Sequence, residues 1–239
     1  MFMVSAGLVS VLLDYPGSPV HRAIGDPTVR RVLGGIAMGL TAVALIYSPW
    51  GQRSGAHMNP AVTLTFLRLG KINRRDALFF VLAQFAGGAL GVLLVAQLLG
   101  AAFTKAPVRY VATLPGAQGP AIAFVAELLI SALMIFTVLT VSNTTRIARF
   151  TGLAAGILVA TFISLEAPLS GMSMNPARTF ASAAPGAIWE YFWIYASAPV
   201  LGMLVGAQLF LITRRSIGCA KLLHPANQRC IHCGYEPAP

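Results

Sequence analysis

Two copies of one short segment, each set among three long apolar stretches, constrain this chain more than any other feature. Gly55-Ala-His-Met-Asn-Pro-Ala-Val-Thr63 matches Gly171-Met-Ser-Met-Asn-Pro-Ala-Arg-Thr179 at six of nine positions. The apolar stretches fall at about 2–13, 32–48, 77–100, 120–142, 151–166 and 188–212. Two further echoes align the halves. Leu90-Gly-Val-Leu-Leu-Val-Ala-Gln-Leu98 matches Leu201-Gly-Met-Leu-Val-Gly-Ala-Gln-Leu209 at six of nine positions, and Arg31-x-x-Gly34 matches Arg149-x-x-Gly152. Each half, about 1–105 and about 118–216, holds three long stretches and one short segment. Three is odd, so a second half built like the first enters a membrane upside down. Short interrupted segments at corresponding positions of inverted halves mark a permeation or binding site near the midplane.

Composition decides that a membrane is the right solvent. Of 239 residues, 56% are hydrophobic and 10% charged, and the mean hydropathy is +0.74. A soluble domain carries about 25% charged residues. A soluble enzyme, a disordered regulator and a coiled coil are thereby excluded. Six spans of roughly 20 residues each fit within the length. The stretch at 2–13 is shorter than a span. It lacks the basic lead of a signal peptide, so it reads as a first span whose beginning is missing. The net charge of +10 would suggest nucleic acid on a soluble protein. Here it reports orientation, because Lys and Arg gather in cytoplasmic loops. With the first span running outward, eleven basic residues lie inside (Arg53, Arg68, Lys71, Arg74, Arg75, Arg146, Arg149, Arg214, Arg215, Lys221, Arg229) and six outside (Arg22, Arg30, Arg31, Lys105, Arg109, Arg178). Both termini are then cytoplasmic, the partner is the lipid bilayer, and no nucleic acid is implied.

The short segments have local chemistry. Asn is a strong N-cap, and Pro suits the first helical position because its missing N–H would be unsatisfied there anyway. Asn59-Pro60-Ala61 and Asn175-Pro176-Ala177 therefore each predict the start of a short helix. If both dip inward from opposite faces, two positive dipole ends converge near mid-bilayer. Each capping Asn keeps an NH₂ group free for a passing oxygen. Non-helical backbone at that depth requires surrounding protein or a water-lined path. Paired glycines at Gly35/Gly39, Gly87/Gly91, Gly152/Gly156 and Gly202/Gly206 predict close helix crossings.

These motifs resemble the aquaporin, or major intrinsic protein, family. The resemblance rests on Ser54-Gly-Ala-His-Met-Asn-Pro-Ala-Val62, Ala126-Glu127, Met172-Ser-Met-Asn-Pro-Ala-Arg178 and Trp193-x-Tyr195-x-x-x-Pro199, and it covers nearly the whole chain. It implies an all-α membrane protein: a right-handed six-helix bundle with two re-entrant half-helices in an inverted repeat. It also implies a homotetramer that passes water and small neutral solutes without coupling energy, placed here in a bacterial plasma membrane. Exclusion of protons and cations by an arginine and half-helix dipoles is a known property of this family's pores, and Arg178 falls on that arginine. By resemblance Glu127 braces the second re-entrant loop. The matching glutamate of the first half is absent, which leaves the first loop without that brace. His57 falls on a position that lines the pore or supports the loop.

Selectivity in the family rests on four positions. Here they are Arg178, Met172, Ile163 and, on the second span, either Met38 or Gly39. Three of the four are thioether, aliphatic or small. One hydrogen-bonding corner with apolar walls suits a solute with hydroxyls on one side and carbon on the other. The sequence around Arg178 looks like nodulin-like members, which pass glycerol and neutral metalloid acids, although Thr179 stands where glycerol facilitators carry aspartate. Glu166, three residues past Ile163, reads as a solvated loop charge or a vestibule group.

Residues 217–239 form a tail beyond the channel domain at 1–216. Cys219, His224, Cys230 and Cys233 offer four ligands suited to tetrahedral zinc. Redox-sensitive thiols and an inert tail are the alternatives, and the channel itself needs no cofactor. Three competing classes remain. A coupled secondary transporter needs a titratable group at the midplane, where only Glu127 qualifies. An intramembrane enzyme needs a catalytic pair within the spans, and none stands at suitable spacing. A non-conducting member of the same fold needs only a blocked pore.

Overall fold

In a computed structural model, residues 1–213, 216–224 and 229–236 are described. Arg214 and Arg215, counted above among the inward basic residues, lie outside that set. The helices are α1 Phe2–Asp14, α2 Pro19–Ala23, α3 Pro27–Tyr47, α4 Pro49–Ser54, α5 Pro60–Arg68, α6 Arg74–Leu99, α7 Ala101–Thr104, α8 Pro120–Ser142, α9 Thr151–Leu165, α10 Ala167–Ser170, α11 Pro176–Gly186 and α12 Phe192–Ile212. No strand occurs among the described residues. Among the described residues, five segments are long and apolar enough to cross a membrane: α3, α6, α8, α9 with the turn before it, and α12. The 13 residues of α1 rise about 20 Å, against a hydrocarbon core of about 30 Å.

Two of the spans start at side-chain caps ahead of their apolar stretches, whereas α8, α9 and α12 carry no side-chain cap and α8 and α9 start where the apolar stretches do. Asp26 accepts the N–H groups of Thr28 and Val29 and Pro27 takes the first position, so α3 starts ahead of the apolar stretch at 32. Asn73 accepts from Asp76 N–H and starts α6 in the same way. In these two, apolar residues mark the depth of lipid, and the caps mark the helix.

The long helices pack as two crossings, α8 against α12 and α3 against α9, with α1 between α3 and α6. Glycine makes both crossings possible. A Cβ on Gly39 would stand 2.5 Å from the Gly156 carbonyl oxygen, and one on Gly202 or Gly206 would stand 2.2 Å from the carbonyl of Leu128 or Ala132. Small residues let helix backbones touch where lipid supplies no hydrophobic drive. The pair expected on α6 behaves otherwise. Gly87 meets nothing within 4 Å, and its neighbour Gly88 makes the approach instead, facing Ala181 on α11. Gly91, the other member of the pair, does pack against Met3 and Val4 of α1, so the close approaches on α6 are at Gly88 and Gly91.

Hydrogen bonds sort the loops onto two ends of the bundle. At one end Tyr47 donates to Arg149 O, Gly218 N–H to Asn143 Oδ1 and Leu222 N–H to Gly55 O. At the other, Arg31 donates to Ser164 O and Gly116 N–H to Leu169 O. Ile217, Ala220 and Leu222, grouped by sequence with the tail, are buried in the same apolar cluster as Met38, Phe66 and Phe210.

A Gly206→Ala substitution should lower the midpoint of thermal unfolding in detergent. The cost should be about 1–3 kcal/mol, the ordinary range for overpacking. Gly87→Ala should leave the midpoint unchanged.

Candidate functional site

The two Asn-Pro-Ala segments start α5 and α11, and their N-termini meet inside the bundle. The Asn59 side-chain oxygen accepts from Ala61 N–H at 2.9 Å. That of Asn175 accepts from Ala177 and Arg178 N–H at 3.1 and 3.2 Å. The amide nitrogens are not both free, as the sequence alone suggests. Asn59 Nδ2 donates to Met174 O at 2.6 Å, and Asn175 Nδ2 donates to Met58 O at 2.8 Å. Each loop thus holds the other through the same atoms. An amide carries two hydrogens, so each asparagine spends one on the clasp and keeps one for the cavity that both line.

The approach to each asparagine repeats. Gly55 and Ala56 both have positive φ, at 87° and 59°, and so do Gly171 and Met172, at 82° and 50°. A side chain at such φ is strained, and two matched pairs of them turn the chain into each half-helix.

The bracing of the two loops differs. Glu127 is fully buried. Its Oε1 accepts from Ser173 N–H at 2.6 Å and from the Ser170 hydroxyl at 2.8 Å, and Oε2 accepts from Met174 N–H at 2.7 Å. The Tyr195 hydroxyl adds a bond to Ser170 O at 2.6 Å. The first loop is held by Gln84 on α6, a residue that sequence reading passed over. Its Nε2 donates to His57 O at 2.6 Å and to Thr63 Oγ1 at 3.0 Å. A glutamine inside an apolar span was the available signal. A carboxylate can only accept and so grips N–H groups, whereas an amide nitrogen grips a carbonyl.

A cavity of about 490 Å³ runs the length of the bundle past Asn59 and Asn175. Arg178, Met172, Ile163 and Met38 all border it toward the end that holds Arg30 and Arg31. The choice on the second span is decided by rotation. Met38 faces the cavity, while Gly39 faces Gly156 on α9 and is a packing residue. Arg178 donates to the Thr113 hydroxyl from the loop before α8. Thr113 was also not foreseen, because nothing local marks a loop threonine as an arginine's partner.

Two residues depart from their expected settings. Glu166 is only 8% exposed, not solvated, and neither carboxylate oxygen has a hydrogen-bond partner among the described residues. His57 does not border the long cavity. It is buried, with Nε2 2.8 Å from Ala220 O of the tail and Nδ1 3.3 Å from Thr63 Oγ1, and it borders a second cavity of about 460 Å³ beside α6. Of its two expected roles, loop support matches these contacts.

The tail brings Cys219, His224, Cys230 and Cys233 together, with one ligand atom from each lying within 4.8 Å of the others.

Comparison with known proteins places this arrangement. The model of the major intrinsic protein family matches residues 1–210. The chain is 35% identical over 215 residues to aquaporin NIP1-3 of Oryza sativa subsp. japonica, covering 89% of this chain and 70% of the relative. It is 35% identical over 183 residues to AqpM of Archaeoglobus fulgidus, covering 74% of each chain. It spans only 62% of the length of an Arabidopsis thaliana relative that it matches over 180 residues. The solved structure of the aquaglyceroporin from Plasmodium falciparum superposes with a TM-score of 0.69 at 20% identity, covering 87% of this chain and 90% of that one, which is a likeness of fold.

Glu127→Gln should weaken the second loop. An amide offers one acceptor oxygen where two loop N–H groups need partners. Stability should fall by about 1–3 kcal/mol, the cost of an unsatisfied buried donor, measured as denaturant or thermal unfolding of the purified protein.

Proposed function

Because the chain belongs to the major intrinsic protein family, we propose that it is a passive channel for water and small uncharged solutes. Glycerol-like polyols and neutral metalloid acids are included, and ions and protons are excluded. The observation that carries the reading is the long cavity with both capping asparagines and Arg178 on its wall. Each asparagine presents one unspent amide hydrogen to a permeant oxygen. The two half-helix dipoles and the guanidinium oppose a cation at the same depth.

Solute preference follows from the four positions toward the Arg178 end. Arg178 supplies the hydrogen bonds, and Met38, Ile163 and Met172 supply apolar walls. Such a ring favours a solute with a hydroxylated edge and a carbon edge over water alone. The pore asparagine motifs (Asn59, Pro60, Ala61, Asn175, Pro176, Ala177) and these filter residues are the positions on which the activity rests.

A coupled transporter would need a titratable group reachable from the cavity. Glu127 is fully buried with both oxygens committed to the loop, and Asp14, the carboxylate on the cavity wall, lies at the end of α1 3.9 Å from Arg30 and not at the midplane, which weighs against that alternative. Family membership points to a channel and not to an enzyme. The protein is an integral multi-pass membrane protein. We orient it with both termini in the cytoplasm, from the excess of basic residues on the end that carries the tail. The expectation of a bacterial plasma membrane draws no support from the plant and archaeal relatives. A homotetramer is proposed from the family.

Stopped-flow light scattering on proteoliposomes tests the reading. Sucrose should drive fast shrinkage, and glycerol should drive shrinkage followed by re-swelling, with neither rate changed by a proton or sodium gradient. Arg178→Ala should add a proton leak, read with an internal pH dye. Gradient-dependent flux would favour the transporter, and folded protein without flux would favour a non-conducting member.

A further inference from the structure

The cysteine and histidine cluster of the tail has no part in the pore chemistry, yet its geometry is that of a ligand set. Cys219 Sγ and Cys230 Sγ are 3.4 Å apart, and His224 Nε2 and Cys233 Sγ are 3.3 Å apart. The cysteines are free thiols. A tetrahedral zinc ion with Zn–S near 2.3 Å and Zn–N near 2.0 Å sets its ligands about 3.6–3.8 Å from one another. Two donor pairs already stand close to that spacing, and all four donors lie within 4.8 Å of one another, so a small inward shift would bring them onto one ion.

The backbone is shaped to serve the sulfurs. Lys221 N–H points at Cys219 Sγ at 3.5 Å, and the N–H groups of His232 and Cys233 point at Cys230 Sγ. Gly234, at φ 72°, closes the Cys230-x-x-Cys233 turn and donates to Cys230 O at 3.1 Å. Outer-shell donors of this kind orient metal ligands. The described residues from 216 onward hold only turns and no regular element. The segment is held to the bundle by Ile217, Ala220 and Leu222, and a bound metal would add a cross-link among its turns.

The same segment sits on the pore. Ala220 O is bonded to His57, two residues before the capping Asn59, and Leu222 N–H is bonded to Gly55 O. The His232 ring stacks on His57 with centroids 6.1 Å apart. Leu222 is 7% exposed and borders the long cavity at its tail-side mouth.

We propose that Cys219, His224, Cys230 and Cys233 bind one zinc ion, and that the bound ion holds Leu222 in the mouth of the pore so that occupancy slows conduction. The site stands on the ligand geometry alone, whereas the gate rests on the channel reading given above. Zinc enters as Zn²⁺, and each ligating thiol gives up its proton to solvent as the metal–sulfur bond forms.

The full chain is stripped with a chelator and reloaded with Zn²⁺ or Co²⁺. Elemental analysis should give one zinc per chain, and cobalt should give thiolate charge-transfer absorption. Cys230→Ser should bind at least tenfold more weakly. In proteoliposomes the zinc-loaded wild type should shrink severalfold more slowly than the stripped protein. Cys230→Ser should shrink at the stripped rate with or without zinc. Leu222→Gly should bind zinc normally and lose the slowing. Folded wild type without stoichiometric zinc or cobalt–thiolate bands overturns the site. Zinc bound with equal rates in loaded and stripped protein overturns the gate. Zinc bound with no form carrying water above protein-free liposomes overturns the channel reading and the gate with it, and leaves the site standing.

Discussion

The reciprocal clasp between Asn59 and Asn175 is the constraint on which the remaining architecture depends. Each amide caps its own half-helix and also bonds the carbonyl that precedes the other asparagine. Neither half-helix is long enough to cross a membrane, so each must end inside it with free N–H groups. The asparagine side-chain oxygens meet that need as caps, and the clasp through their amide nitrogens joins the halves at their centre. The surrounding helices then have to enclose two short segments that point toward each other, which is what an inverted repeat provides.

The halves are alike in part of their backbone and unlike in support. Positive φ recurs at Gly55-Ala56 and Gly171-Met172, but the second turn adds Met174 at φ 51°, which has no counterpart at Met58. The anchor beneath the second turn is a buried carboxylate that accepts two N–H groups, and beneath the first it is Gln84 donating to a carbonyl. The first turn has a further support in the tail, through His57 and Ala220. The entry into each loop is shared while its fixings differ, because several donor and acceptor sets can hold a similar turn.

What could be read from the sequence follows the range of the interactions. The half-helices at α5 and α11 were legible because capping is local, and the helix pairs because apolar stretches and glycines carry their own periodicity. Met38 against Gly39 was not legible. Neighbours on a helix differ by 100° of rotation, and only the partner helix says which one faces inward. Gln84, Thr113 and the seat of Leu222 were hidden for a related reason. Each acts through a residue far along the chain, and no local pattern announces such a partner. Glu166, read as a solvated loop charge or a vestibule group, is buried, and its position beside a helix end gives no local sign of that.

The glycine crossings carry a mechanical consequence. Where Gly39 meets Gly156 and Gly206 meets Ala132, main chain rests on main chain. Such contacts have no rotamers to exchange, so at these levels the bore of the bundle is stiff. Met38 and Met172 are the opposite, unbranched side chains with three rotatable bonds and a polarizable sulfur. On the channel reading proposed above, the filter is a compliant ring in a rigid tube, and thermal energy or lateral pressure acts on that ring before it acts on the tube.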